Sequence, residues 1–238
     1  LFMGKDHPVE LDADPSPERL TLADATKIWI DQVAQVETDP PRPLIVVATA
    51  GGGIRATHWT IAVLTALEEQ IPNLSRDLFA ISGVSGGGLG SVAYIADLTE
   101  PLPGCGREID SERVKTTTSC RERRVRQGLS ADHLGPNLAA GLFPDPKVLD
   151  VMDRGRGLER SWERSWDHAL GISPLKAESH GLERRFAQLW REPLAANRWL
   201  PLLLINGTLE ESGQRVVTSP VVVKDSFRDT EDFLSLDE

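Results

Sequence analysis

Cysteine is almost missing from this chain: Cys105 and Cys120 are the only two in 238 residues. Neither has a close Cys or His companion, which argues against a four-ligand zinc site. They either close a loop as a disulfide or stay as two free thiols, and two cysteines do not settle the compartment. Basic excess is also lacking. With 26 Lys and Arg against 36 Asp and Glu, the formal net charge is -10. Nucleic acid is therefore not the expected partner, since neutralising phosphates needs a basic surface. No run approaches the roughly 20 apolar residues of a membrane-spanning helix. Internal repeats and low-complexity tracts are absent too, and no Asp-Gly dipeptide occurs anywhere.

What is present is an ordinary globular composition, 40% hydrophobic and 26% charged, at a length that suits one generous domain. Residues 1–20 are polar, carry Pro8, Pro15 and Pro17, and read as an arm or linker before a domain spanning 21–238. The chain starts at Leu1 without a signal-like segment, and Asp232 to Glu238 show no closing element, so both ends are expected to be cuts from something longer. The segment 101–130 reads as an insertion loop. Its stretch from Cys105 to Arg126 holds seven basic residues (Arg107, Arg113, Lys115, Arg121, Arg123, Arg124, Arg126) against four acids. A solvated loop is the plain reading; peripheral contact with lipid headgroups is the second.

The element pattern is clearest in the first hundred residues. Thr21 to Val36 predicts a helix, ended by the proline-rich run Asp39 to Pro43. Leu44 to Ala48 is a short β-branched run bounded by breakers, which predicts a strand buried on both faces, as in a parallel sheet. Gly51-Gly52-Gly53 follows, then a helix from Ile54 to Gln70 stopped by Pro72 and Asn73. Leu78 to Ile81 predicts a second buried strand, and Gly83-Val84-Ser85-Gly86-Gly87 turns it into a helix over Leu89 to Leu98. Strand, glycine turn and helix, repeated twice, define an α/β class with a mostly parallel sheet. Further on, Leu134, Leu138 and Leu142 recur every four residues, while Leu158–Trp166 and Leu182–Trp190 predict helices. Leu202–Asn206 and Arg215–Thr218 predict two more strands around a hairpin-like turn at Glu211-Ser212-Gly213. Trp162 and Trp166, one helical turn apart, share a face and are expected in a core. Leu138 to Phe143 is a core helix on the plain reading and a lid or acyl-binding wall on the other.

Two motifs carry chemistry. Gly83-Val84-Ser85-Gly86-Gly87 fits G-x-S-x-G between a predicted strand and a predicted helix. A hydroxyl held on so sharp a turn needs small neighbours, which Gly83 and Gly87 supply. Ser85 then stands at a helix N-terminus, where N–H groups and the dipole favour developing negative charge. The structural alternative is a glycine-rich turn with no chemistry. The second motif, Gly51-Gly52-Gly53-Ile54-Arg55, bares backbone N–H groups on another strand-to-helix turn. In an acyl hydrolase these would form the oxyanion hole, Gly52 and Gly53 foremost, where one lost donor costs about 3–4 kcal/mol of barrier. Arg55 runs against the dipole in the first helical turn, which suggests a role in ordering the loop or adding positive potential. Gly51, Gly53 and Ala56 also match the G-x-G-x-x-A dinucleotide fingerprint, but the next strand ends in Ser82-Gly83-Val84-Ser85 where an acidic residue is wanted.

None of His7, His58, His133, His168 and His180 lies in a recognisable loop after a late strand, which brings into consideration a Ser–Asp dyad, in which a carboxylate alone is base to the hydroxyl. The paired motifs over Leu44–Leu98, a G-G-G-x-R turn about thirty residues before a G-x-S-x-G turn, resemble the patatin-like phospholipase family. That resemblance implies a three-layer α/β/α sandwich, hydrolysis of lipid acyl esters through an acyl-enzyme on Ser85, and a Ser–Asp dyad without metal or cofactor. Two departures stand out. Ala50 occupies the place where the family has Asp before the glycines. The family's dyad Asp sits in Asp-Gly-Gly or Asp-Gly-Ala, which this chain lacks. Asp225, Asp229, Asp232 and Asp237 read as acids of a polar tail, and the dyad carboxylate is expected beyond Glu238. Asn206, after its strand, is expected to border the site. A catalytically inactive patatin-like module that binds lipid or a partner is the non-enzymatic alternative.

Overall fold

The computed structural model describes residues 19–34, 42–100, 120–135, 154–171, 182, 184, 186, 188–224 and 226–235. These fall into two compact units, the larger within Arg19–Val125 and Arg184–Glu238, the smaller within Arg126–Glu183.

The larger unit is α/β. Thr21 caps α1 (Leu22–Trp29), its hydroxyl accepting from the Asp24 backbone N–H at 3.1 Å, and the helix continues into a π turn over Ile30–Ala34. Then come β1 (Ile45–Thr49), α2 (Gly53–Gln70), the short α3 (Leu74–Asp77), β2 (Leu78–Val84), α4 (Ser85–Thr99) and α5 (Cys120–Gly128). The division between the units falls within α5. In the smaller unit lies α6 (Arg154–Leu170); the larger resumes with α7 (Gln188–Ala195), β3 (Leu202–Thr208), β4 (Arg215–Thr218) and β5 (Thr230–Asp232).

The five strands form one sheet in the order β1-β2-β3-β4-β5. β1 to β3 are parallel, β4 runs antiparallel to β3, and β5 is parallel to β4. The antiparallel step follows from the tight Glu210–Gln214 turn, in which Leu209 and Gln214 are bonded across 2.9 Å. β2 and β3 lie centrally and are buried on both faces, as their apolar runs predict; Ile81 and Leu203 are each no more than 1% exposed. Phe79 stacks on Trp199 at 5.6 Å and meets Trp29 in a T-shaped contact at 5.9 Å, while the indole N–H of Trp199 donates to Leu78 O. α4 lies against β1, β2 and β3, and α2 packs on α4.

Several expectations need correction. β1 is not buried on both faces: it stands at the edge of the described sheet, with Val46 57% exposed and Leu44 49% exposed. A β-branched run specifies a strand, but its neighbours decide what covers it. Residues 101–130 are not loop throughout, since α5 occupies Cys120–Gly128. Nor is Asp232 a tail residue: it lies in β5 and is 1% exposed. Arg19, expected in the polar arm, belongs to the larger unit and donates to the Asp232 carboxylate at 3.0 and 3.2 Å. The helix expected over Leu182–Trp190 starts at Gln188.

In the smaller unit Trp166 is fully buried on α6, its ring lying where a side chain at Gly128 would stand. Trp162, on the same face, is half-buried and meets the His133 ring in a T-shaped contact. Leu134 is 70% exposed. Leu138 to Phe143, Cys105 and the rest of the insertion up to Ser119 lie outside the described residues.

Candidate active site

Parallel pairing brings the two chemical motifs together. Thr49 at the end of β1 is in register with Gly83 near the end of β2, so both glycine turns leave the sheet at the same, carboxyl-terminal edge. That edge is where open α/β sheets bind ligands.

Steric contact then sets the second turn. A Cβ at Gly83 would lie 2.7 Å from Gly88 Cα and 2.9 Å from Thr49 Oγ1. One at Gly86 would lie 2.0 Å from Gly53 O, and one at Gly87 would lie 2.4 Å from Ala50 O. All of these are closer than real Cβ atoms approach anything, so only glycine fits. Hydroxyls fill the remaining polar positions. Thr57 on α2 donates to Gly86 O at 2.8 Å, Ser91 on α4 donates to Gly87 O at 2.8 Å, and Thr49 meets Ser91 at 3.2 Å. Neither threonine stood out in the sequence, because hydroxyls that satisfy carbonyls across elements leave no local pattern.

Ser85 is the product of this packing. Val84 is extended, with φ -132° and ψ 138°, and Ser85 turns abruptly to φ 53° at the first position of α4. A non-glycine residue in the left-handed region costs on the order of 1–2 kcal/mol, and the packed turn around it supplies the restraint. Ser85 is exposed. A Cβ on Gly51 would sit 3.3 Å from Ser85 Cβ and 3.8 Å from its Oγ, so the Gly51–Gly53 turn lies directly beside the hydroxyl. Gly52 takes φ 148°, which is in effect open to glycine alone, Gly53 takes φ 58°, in the left-handed region that favours glycine, and both are exposed. Arg55 is exposed and makes no side-chain hydrogen bond or ion pair among the described residues. The turn packs against α4, with Gly86 pressed on Gly53 and Gly87 on Ala50.

Asn206 does border the site. It pairs with Val84 across β2 and β3, and its side-chain amide reaches Ser82 Oγ and Gly83 O at 2.9 and 3.0 Å. Sequence reading missed Arg215, whose guanidinium grips the Asn206 carbonyl.

No described carboxylate or imidazole hydrogen-bonds Ser85 Oγ. Asp232 stands three strands from Val84, roughly 14 Å at normal strand spacing. Its oxygens are taken by Arg19 and by the backbone N–H groups of Val223 and Leu234. Asp229 is exposed with φ 54°, and Asp225 and Asp237 lie outside the described residues. A Ser–His pair does exist elsewhere: in the smaller unit His133 Nδ1 lies 2.8 Å from Ser161 Oγ. Burial lowers the His133 pKa, so the imidazole is neutral over more of the pH range. Ser161 sits within α6, where the neighbouring backbone N–H groups are used by the helix and cannot receive an oxyanion. A cavity of about 440 Å³, lined by Gln32, Arg76, Leu98, Asn197 and Trp199 among others, opens before β2 and β3, at the end of the sheet away from Ser85.

Among the described residues there is no group of three or more His, Cys, Asp or Glu that could hold a metal ion, and no helix long and apolar enough to cross a membrane. Comparison with known proteins found no matching family model, no matching curated protein and no matching solved structure. The arrangement offers an exposed hydroxyl on a strained turn, set at a helix N-terminus and flanked by a second turn of bare glycines.

Proposed function

We propose that this protein is a serine acyl hydrolase of the patatin-like type, acting on lipid acyl esters with Ser85 as nucleophile. The observation that carries the reading is Ser85 held at φ 53° with the Gly51–Gly53 turn against it. In such a site Ser85 Oγ attacks the ester carbonyl as its proton passes to a base. The tetrahedral oxyanion is received by N–H groups of Gly52 and Gly53 and by the N-terminus of α4. Collapse expels the alcohol and leaves an acyl-enzyme, which water then hydrolyses. On this reading the base is a carboxylate supplied from outside the described residues, and the sheet with α2 and α4 is part of an α/β/α sandwich. Exposed apolar side chains next to the two turns, Ile54 (53%) and Val84 (43%), favour an acyl chain over a purely polar substrate.

The test combines a fluorophosphonate probe with a short-chain ester assay on the natural full-length protein. Labelling should map to Ser85, and Ser85→Ala should abolish labelling and lower turnover by at least about 1,000-fold. A wild type that neither labels nor turns over, or turnover indifferent to Ser85→Ala, would leave a binding module in place of the enzyme.

A further inference from the structure

The turn that carries Ser85 is held from the α4 side by glycine packing, but the peptide leading into it is held from elsewhere. Asn206 on β3 supplies that second hold. Its Nδ2 group faces three oxygens: Ser82 Oγ at 2.9 Å, Gly83 O at 3.0 Å and Leu204 O at 3.1 Å. Its Oδ1 faces the guanidinium of Arg215, with Nε at 3.0 Å and Nη2 at 2.5 Å. The Gly83 and Leu204 carbonyls on one side and the Arg215 guanidinium on the other fix the orientation of the amide, since the flipped form would set oxygen against both carbonyls and N–H groups against the guanidinium. Arg215 is itself steadied, its guanidinium lying over the Phe227 ring at 5.7 Å. Though its side chain is exposed, it spends two N–H groups on this one oxygen.

From this arrangement we infer that Asn206 is a positioning residue for the Ser85 reaction, holding the Gly83–Val84 peptide so that Ser85 enters α4 in its strained conformation, with Arg215 locking the amide. The inference rests on the hydrolase reading above. The physical reason is leverage. Gly83 O belongs to the peptide two residues before the nucleophile, so its tilt sets the direction in which Val84 delivers Ser85. A misplacement of about 1 Å in a reacting group is enough to cost on the order of 100-fold in rate. β3 is the partner of β2 in the sheet, so the hold comes from a rigid element.

Asn206→Asp separates positioning from packing. It keeps the size and the oxygen that Arg215 grips, while replacing the amide donors with an oxygen that repels Gly83 O. The expected result is a fall in kcat of about 10- to 100-fold with KM within twofold of wild type, and a matching fall in the rate at which fluorophosphonate labels Ser85. Arg215→Met frees the amide from its exposed side and should lower kcat by about three- to tenfold at unchanged KM. It also serves if Asn206→Asp does not fold. Both variants matching wild type in kcat and labelling rate would overturn the positioning role while leaving the hydrolase intact. A change in KM alone would also overturn it. A wild type that never labels at Ser85 overturns both readings together.

Discussion

The two ends of α4 are held by opposite means. At its N-terminus, Ser85 to Gly90 press backbone against backbone: a Cβ added at Gly86, Gly87 or Gly90 would fall within 2.0–2.7 Å of the carbonyl oxygen of Gly53, Ala50 or Thr57 respectively. Among the described residues, hydroxyl bonds are the polar reinforcement of that packing. At its C-terminus, charge does the holding. Asp97 is fully buried and its carboxylate is gripped by Arg121 and Arg124 of α5, with Arg124 Nε at 2.6 Å. One turn earlier, buried Tyr94 donates to Glu68 of α2 at 2.9 Å, and Glu68 in turn accepts from both the backbone and the hydroxyl of Ser75. Among the described residues no buried ion stands at the Ser85 end, where the positive end of the α4 dipole lies. The far end, remote from Ser85, accommodates such ions.

This contrast also revises the basic segment of the sequence. Arg121 and Arg124 are committed to Asp97 and are not free for lipid headgroups. Arg107, Arg113 and Lys115 lie outside the described residues.

Breaking the steric end should have the largest effect. Gly86→Ala places a methyl 2.0 Å from Gly53 O, and backbone cannot retreat as a flexible side chain can. A loss of more than about 3 kcal/mol is expected, read as a shift in the urea midpoint. Breaking the ionic end comes next. Asp97→Asn leaves two arginines facing a neutral amide and should cost about 1.5–3 kcal/mol, with proteolytic cleavage within Cys120–Gly128 appearing as α5 comes loose. A loss below about 1 kcal/mol would show that the ion pairs carry no net stability. The smallest effect sharpens the picture of strain: Ser85→Gly removes the left-handed penalty but adds unfolded-state freedom, for a net gain of up to about 1 kcal/mol with labelling lost. A destabilised Ser85→Gly would show that the turn is not strained.

Legibility followed sequence separation. β1, α2, β2 and α4 were readable because a β-branched run, a glycine cluster and a helical period are local features. Their ends moved by a few residues, as when α4 proved to start at Ser85 rather than Leu89. Trp166 was readable as core for the same reason. The Asp97 clamp was not, as its partners lie 24 and 27 residues away on a segment whose composition suggested solvent. The bond between Arg19 and Asp232 spans 213 residues, and no pattern at either end announces it.

By itself, then, the chain's order of residues determined where the turns fall and which residue could be a nucleophile. Gly51–Gly53 and Gly83–Gly87 restrict backbone angles and steric bulk at the spot where they occur. Tertiary structure alone decided that these turns face each other, that β1 stands at the described edge, that Asn206 reaches the peptide before Ser85, and that Asp232 is buried on Arg19. Those outcomes depend on strand register and on pairing between distant segments, where a shift of one residue would reverse every side chain's face.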